Sequence, residues 1–209
     1  MTGDQKEQIR IVLSNKGFSE EQINNARIAS SGTTESQIVQ ISVPVFAKQF
    51  IRQVLITELA EVVKISPWLG FISISSGIEF LGKCIDPDNP TDWNAERVSS
   101  KNFYDAIKKL DALFKYRPLL SRPNFNLYSE FRCGLVHACA PKDNISLSHG
   151  TEEMANLVEQ NDVINFNADE LYEDFKTACE EVINMDFTNP PNKMNVAKIY
   201  INCTLTPNP

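Results

Sequence analysis

The chain has 209 residues, of which 42% are hydrophobic and 22% are charged, so it can form one sizeable core with the composition of a globular protein. Its formal net charge of −7 argues against a protein coated with positive charge for nucleic acid. The most apolar stretch, Val62 to Ile85, is interrupted by Lys64, Pro67 and Glu79, which favours a buried core segment over a membrane span.

The cysteines and the N-terminus indicate the compartment. No two cysteines have the CxxC spacing, and their odd number predicts free thiols in a reducing environment, not disulfides or a zinc site. The first thirty residues contain no apolar stretch like a signal peptide. We therefore expect a cytoplasmic protein. The five cysteines are Cys84, Cys133, Cys139, Cys179 and Cys203.

The N-terminal residues predict a helical hairpin. Asp4 to Lys16 has apolar residues at helical spacing, Gly17 is a stop signal, and Ser19 can cap a second short helix. The small, polar segment Ser30 to Ser36 is the best linker candidate. The predicted domains are a helical appendage over residues 1–36, a helical domain over residues 37–188 and a tail over residues 189–209.

Two core helices follow. Ser42 to Lys64 is the strongest helix prediction, because Ser42 can cap it, Pro44 fits its first turn and an apolar stripe follows. Pro67 ends it. A second helix is predicted over Leu69 to Ile85. It contains small residues that let another helix approach closely: Ser75, Ser76, Gly77 and Gly82.

Beyond a loop at Asp86 to Asn94, Ser99 is predicted to cap a third helix that runs to about Phe114. Arg117 to Pro123 is predicted to be a proline-bounded connection. A further helix is predicted from about Asn126 to Cys139. It must stop there, because Pro141 disfavours helical geometry at the preceding residue.

After this proline the sequence pattern changes from helical to strand-like. Short segments of strand-like alternation predict a small β-hairpin or three-stranded flap: Ile145 to His149, Ala155 to Glu159 and Val163 to Phe166. Asn167 then caps a last helix to about Asn184. Met194 to Thr204 fits either a late strand or an ordered tail. The predicted fold is mainly α, with a small β insertion before the last long helix.

The charge is unevenly distributed. Residues 101–142 contain eight basic and three acidic side chains, whereas residues 152–186 contain eleven acidic side chains and one basic. This asymmetry allows a positive surface on an acidic protein, although two solvated helix faces would explain it equally well. The candidate phosphate contacts are Lys108, Lys109, Lys115, Arg117 and Arg122.

Known catalytic motifs are missing from the sequence. There is no glycine-rich phosphate loop, no HExxH and no nucleophile elbow, and two histidines cannot build a histidine-rich metal centre. We therefore expect no cofactor and no metal. A thiol nucleophile at Cys133 or Cys139 lacks a recognisable oxyanion site, so inert cysteines are expected. The remaining candidates are Arg132 and His137 in the segment Phe131-Arg-Cys-Gly-Leu-Val-His137.

A cation beside an imidazole suits metal-free RNA cleavage. His137 would accept the proton of the ribose 2′-hydroxyl or donate one to the leaving oxygen, and Arg132 would stabilise the phosphorane. Five residues turn by about 140° on an ideal helix, so the two side chains do not share a face. A long arginine can still bend toward a cleft that the imidazole lines.

A structural role is the alternative for the same pair. Glu79 lies among apolar residues, and a carboxylate at such a position needs a partner, which Arg132 can supply across a helix interface. His137 would then cap the helix or fill the core. Catalysis requires both side chains to be exposed in a positive groove.

The segment Phe131 to His137, at the end of a helix in an α-helical domain, resembles the Arg-x4-6-His signature of the HEPN superfamily (higher eukaryotes and prokaryotes nucleotide-binding domains). The stretch Ser76-Gly-Ile-Glu-Phe-Leu-Gly82 and the phrase Gly-Leu-Val-His are similar to uncharacterised bacterial members. The resemblance covers residues from about Ile41 to Asn184 and leaves the first forty residues unexplained.

This resemblance implies an up-and-down helical bundle, frequently a homodimer that brings two motifs into one cleft. Active members are metal-independent endoribonucleases, often toxins or defence proteins, which implies RNA as substrate and an antitoxin-type protein partner. Carried over, the catalytic residues are Arg132 and His137, with Glu79 and Cys133 in supporting positions.

The position after the arginine departs from the family pattern. That residue is usually Asn, Asp or His, whereas Cys133 is a weak hydrogen-bond donor, which bears on activity more than on fold. Some members of the superfamily are non-catalytic binding modules. Three interpretations therefore stay open: a dimeric ribonuclease, a HEPN-like interaction or nucleotide-binding protein, and a helical scaffold without a ligand.

Overall fold

The computed structural model describes residues 20–24, 27–30, 36–41, 43–87, 98–150, 154–186 and 197–202, together with 7, 10, 11 and 13–15. The chain divides into two compact units, Met1–Phe50 with Pro191–Pro209, and Ile51–Pro190. The sequence predicted boundaries after residues 36 and 188. In the structure the first boundary follows residue 50, and the C-terminal tail joins the N-terminal unit. Within the described ranges, no helix combines the length and apolarity needed to cross a membrane.

The helical segments, in chain order, are α1 (Glu20–Asn24), α2 (Val43–Phe50), π1 (Ile51–Glu58), α3 (Leu59–Ile65), α4 (Pro67–Cys84), α5 (Val98–Lys109), a 3₁₀ segment (Asp111–Leu120), π2 (Tyr128–Cys133), α6 (Gly134–Ala138) and α7 (Ala168–Asn184). The strands are β1 (Arg27–Ser30), β2 (Ser36–Ile41), β3 (Ile145–Ser148), β4 (Glu159–Gln160), β5 (Val163–Asn167) and β6 (Ala197–Asn202). The prediction of a mainly α fold with a small β insertion before the last long helix is confirmed.

The first unit contains an antiparallel sheet in the order β1-β2-β6. Strand β6 pairs with β2 along its whole length, with Ser36 opposite Asn202 and Ile41 opposite Ala197. The pairing decides the open question at Met194 to Thr204 in favour of a strand. The linker candidate between Ser30 and Ser36 joins β1 to β2, and its residues 31–35 lie outside the described part of the chain.

The second unit is built around α4, which packs against α5 and α7. Two glycines of α4 let these helices approach it closely. A Cβ atom on Gly82 would lie 1.7 Å from the backbone oxygen of Asn102 in α5, and one on Gly77 would lie 2.4 Å from the Phe175 ring in α7. Two real atoms cannot approach so closely, so these positions require glycine. The prediction that small residues admit neighbouring helices is confirmed for Gly77 and Gly82, whereas Ser76 is exposed.

Two predicted elements differ in their extent. Helix α5 ends at Lys109 instead of continuing to Phe114, because Leu110 is extended and a new 3₁₀ segment begins at Asp111. The carboxylate of Glu181 in α7 accepts hydrogen bonds from the backbone nitrogens of Asp111 and Ala112, at 2.9 and 2.7 Å. A distant side chain therefore caps the new segment. The expected connection from Arg117 is helical as far as Leu120.

The β insertion is a three-stranded sheet in the order β3-β5-β4. It is not a simple hairpin, because β3 runs parallel to β5 while β4 runs antiparallel to it. Asn165, in the central strand, organises the loop between β3 and β4. Its amide nitrogen donates to Ser148 Oγ and to the Met154 carbonyl, both at 2.7 Å. As predicted, Asn167 caps α7, since its side chain accepts from the nitrogens of Asp169 and Glu170.

Candidate functional site

Local capping fixes the start of the segment that carries Arg132. The Asn126 side chain accepts a hydrogen bond from the Ser129 nitrogen at 2.9 Å, and the Glu130 carboxylate accepts from the Asn126 nitrogen at 3.0 Å. This reciprocal arrangement satisfies donors at a helix N-terminus. The buried ring of Phe131 then anchors the segment, with its centroid 4.6 Å from that of Phe166. Arg132 is thereby held at the edge of the core.

The helix ends at Ala138, shortly before Pro141, as the proline predicted. Cys139 adopts left-handed geometry with φ 54°, and the Ala140 nitrogen donates to the Gly134 carbonyl at 3.2 Å. The chain folds back so tightly that a Cβ atom on Gly134 would lie 2.6 Å from the Ala140 oxygen. The indole nitrogen of Trp68 donates to the Cys139 carbonyl at 2.8 Å, which ties this turn to α4.

The guanidinium of Arg132 faces helix α4. Its Nη2 lies 2.7 Å from Oε2 of Glu79, and each side chain is only 14% exposed. The contact between Nη2 and Oε2 is an ion pair without hydrogen-bond alignment, because Glu79 Oε2 has no hydrogen-bond partner among the described residues. Arg132 Nε has none there either. The guanidinium also lies over the ring of Tyr128, 5.5 Å from its centroid. The ion pair considered from the sequence is therefore present.

His137 is exposed and does not enter the core. Its Nε2 atom lies 3.4 Å from Nη1 of Arg132. The angle of about 140° holds for an α-helix, but Tyr128–Cys133 is a π-helical turn. That turn ends at Cys133 and His137 lies in α6, so most of the stretch between the two residues is α-helical, and the long side chain of Arg132 spans the distance to the imidazole. Catalysis was expected to require both side chains to be exposed in a positive groove; His137 is exposed, whereas Arg132 is largely buried.

Two tyrosines continue the site away from His137. The Tyr128 ring lies 6.1 Å from that of Tyr104 in α5, and both side chains are half-buried. Burial raises the pKa of Tyr128, although the charge of Arg132 opposes the shift. Burial also raises the pKa of Tyr104, whose hydroxyl donates to Asn126 Oδ1 at 2.8 Å. Tyr128 therefore lies beside the arginine, and Tyr104 lies beside Tyr128.

Cys133 lies beside the site as a free, half-buried thiol whose contact with Tyr128 adds to the rise of the tyrosine pKa. Cys139 is free and exposed, whereas Cys84 and Cys179 are free and buried. Burial raises the pKa of both buried thiols, so they are inert at neutral pH. Cys203 lies outside the described residues.

The five candidate phosphate contacts do not form one open groove. Lys109 pairs with Asp105 at 3.2 Å, Lys115 with Asp174 at 2.7 Å, and Arg117 with Asp111 at 3.6 Å. Arg122 makes a two-pronged contact with Glu159, at 2.7 and 2.5 Å. Lys108 alone of the five has no ion pair within the described ranges, and its ammonium lies 6.0 Å from the Tyr104 centroid. Local acidic side chains offset most of this positive charge.

The sequence did not identify Tyr104, Tyr128 or Trp68 as parts of the site. Tyr128 lies four residues before Arg132, a helical spacing that could have indicated it. The other two come from distant helices, so no local pattern pointed to them. Among the described residues, no three His, Cys, Asp or Glu side chains are grouped so that they could hold a metal ion.

Comparison with known proteins adds no relative from which a role could be inferred. No protein-family model, curated protein or solved structure matches this chain.

Proposed function

We propose that this protein is a HEPN-like, metal-independent endoribonuclease that cleaves single-stranded RNA with Arg132 and His137. One observation carries the proposal: an exposed imidazole lies 3.4 Å from a guanidinium that a second helix holds in place. Enzymes gain most from charges that are positioned before the reaction begins. Glu79 and Tyr128 hold the arginine in this way.

In the proposed reaction, His137 accepts the proton of the ribose 2′-hydroxyl. The 2′-oxygen attacks phosphorus, and the bond from phosphorus to the 5′-oxygen breaks as that oxygen takes up a proton. Arg132 directs Nη1 at the negative charge of the phosphorane while Nη2 stays with Glu79. The products are a 2′,3′-cyclic phosphate and a 5′-hydroxyl, and DNA resists because it has no 2′-hydroxyl.

The resemblance to the HEPN superfamily extends the proposal to a cytoplasmic homodimer in which two motifs share a cleft. The second His137 would then protonate the leaving oxygen, which a single imidazole cannot do in the same step. An antitoxin-type protein that covers the cleft would be the partner. Cys133, at the position usually occupied by a polar residue, supplies a weaker donor than other members have.

A non-catalytic HEPN-like interaction or nucleotide-binding module is the second candidate. The burial of Arg132 against Glu79 favours it, because an arginine committed to a carboxylate has less freedom to meet a phosphate. In that case the site binds RNA or a nucleotide and leaves it intact.

The two candidates differ in a cleavage assay with single-stranded RNA in EDTA. We expect wild type to release fragments ending in 2′,3′-cyclic phosphate and to leave the matching DNA intact, and His137→Ala to be slower by at least about 100-fold. His149→Ala is the matched control, because His149 is the other histidine of the chain and is exposed, and it should cleave like wild type. Equal cleavage by both variants, or none by wild type, would rule out this enzyme for that RNA.

A further inference from the structure

A row of neighbouring aromatic and basic side chains connects α5, π2 and α6 in the second unit. Starting from Lys108, it continues through Tyr104 and Tyr128 to Arg132 and ends at His137. Successive members are close: 6.0 Å from the ammonium to the Tyr104 centroid, 6.1 Å between the tyrosine rings, 5.5 Å from Tyr128 to the guanidinium and 3.4 Å from the guanidinium to the imidazole. Proteins that bind single-stranded nucleic acid combine basic side chains for the phosphates with aromatic rings on which the bases stack.

The rings are fixed before any ligand arrives. Phe103, which is buried, lies edge-on against both tyrosines, with centroids 6.1 Å from Tyr104 and 5.6 Å from Tyr128. The hydroxyl of Tyr104 is held by Asn126. A rigid ring loses little conformational entropy when a base stacks on it, which favours binding.

The charge distribution indicates which ring is available. The guanidinium of Arg132, held by Glu79, covers Tyr128. The cation over Tyr104 is the ammonium of Lys108, at the outer limit of a cation–π contact, and no acidic side chain among the described residues forms an ion pair with it. Such a lysine can move from the ring to a phosphate without breaking an ion pair.

We propose that Tyr104 and Lys108 form a subsite for an unpaired base and its phosphate, next to the phosphodiester bound at His137. This inference rests on the proposed function and defines its substrate as RNA that is unpaired beside the cleaved bond. The base stacks on Tyr104, Lys108 contacts a phosphate, and Tyr128 positions Arg132.

The test measures affinity in the His137→Ala background, so that binding is read without cleavage. The probe is a fluorescently labelled single-stranded oligoribonucleotide, compared with the same sequence in a duplex. We expect Tyr104→Leu to weaken single-strand binding by roughly 5- to 100-fold, Tyr104→Phe to change it by less than about twofold, and neither to affect the duplex. The rescue by phenylalanine separates stacking from the hydrogen bond to Asn126.

Phe114→Leu provides the matched control. Phe114 is 63% exposed and has the guanidinium of Arg117 4.7 Å from its ring centroid, so it offers similar chemistry on the 3₁₀ segment. Its replacement should leave affinity unchanged. If Tyr104→Leu binds like Phe114→Leu while wild type still cleaves RNA, the subsite is wrong and the proposed function stands. If wild type neither binds nor cleaves RNA, both are wrong.

Discussion

The carboxylate of Glu79 lies 2.7 Å from Nη2 of Arg132, and both side chains are 14% exposed. The contact joins α4 to π2, the segment on which the candidate catalytic pair depends. An ion pair this far from water loses much of its Coulomb gain to desolvation, so its presence does not by itself indicate a stability role. It keeps the guanidinium in one orientation, with Nη1 toward His137.

Replacing one partner of this ion pair should destabilise the protein more than replacing both partners with apolar residues. We expect Glu79→Gln and Arg132→Gln each to lower the free energy of unfolding by about 2 kcal/mol, because each leaves a largely buried charge without its counter-charge. Glu79→Leu with Arg132→Met should lie within about 1 kcal/mol of wild type. Urea unfolding measures all variants. Lys64→Ala breaks the exposed pair with Glu61 and, as the control, should cost less than about 0.5 kcal/mol. A double variant less stable than both single variants would contradict this reasoning.

Replacement by glycine should change the stability in opposite directions at two cysteines that lie six residues apart. Cys139 has φ 54°, a conformation that costs an ordinary residue roughly 1 kcal/mol, so Cys139→Gly should stabilise the protein by about 0.5–1 kcal/mol. Cys133 lies inside a helical segment, where Cys133→Gly should destabilise it by a similar amount. Thermal unfolding under reducing conditions measures both. Shifts of the same sign would show that the left-handed turn is not strained.

The helical layout could be predicted from the sequence because its signals are local. The apolar stripe of Ser42 to Lys64, the break at Pro67 and the cap at Asn167 each act within a few residues, and the structure has helices at these places. The ion pair between Arg132 and Glu79 could be considered because an isolated carboxylate among apolar residues needs a partner. These arguments need no knowledge of the topology.

The remaining features depend on contacts between distant residues. The side chain of Glu181 caps the 3₁₀ segment from about seventy positions away, so no window around Asp111 could predict where it begins. The π-helical turn at Tyr128–Cys133 changes the hydrogen-bond register without changing the apolar pattern, so the periodicity of the sequence could not predict it. Tyr104 joins the site only because α5 packs next to π2.

The close approach of α4 and α5 should be sensitive to one methyl group. We expect Gly82→Ala to destabilise the protein by at least about 3 kcal/mol, because the added Cβ atom would lie 1.7 Å from the backbone oxygen of Asn102, which cannot move independently. Since α4 carries Glu79 and α5 carries Tyr104, any variant that folds should also lose activity. Ser76→Ala, exposed on the same helix, should lie within about 0.5 kcal/mol of wild type. Equal stability of the two variants in urea unfolding would show that α4 and α5 can separate at Gly82 without cost.

Stability should fall as the solution becomes strongly alkaline. Burial raises the pKa of Tyr172 from its ordinary value of 10.0 to about 12, with a smaller contribution from Glu173, and its hydroxyl donates to the Ile56 carbonyl at 2.6 Å. The folded protein therefore holds this proton when the unfolded chain has released it. The contribution of Tyr172 to stability is complete below pH 10 and is lost as the pH rises through 12.

Replacing this hydroxyl separates its contribution from those of other buried acids. Tyr172→Phe should lower the free energy of unfolding at neutral pH by about 1 kcal/mol and make its decline above pH 10 shallower. Urea unfolding at a series of pH values, from neutral to about one unit above the ordinary tyrosine pKa, measures both proteins. Burial raises the pKa of Tyr116 and of both buried cysteines as well, so part of the decline should persist in the variant. If the free energy of unfolding of Tyr172→Phe declines with pH as steeply as that of wild type, the pKa of Tyr172 is the same in the folded and unfolded states.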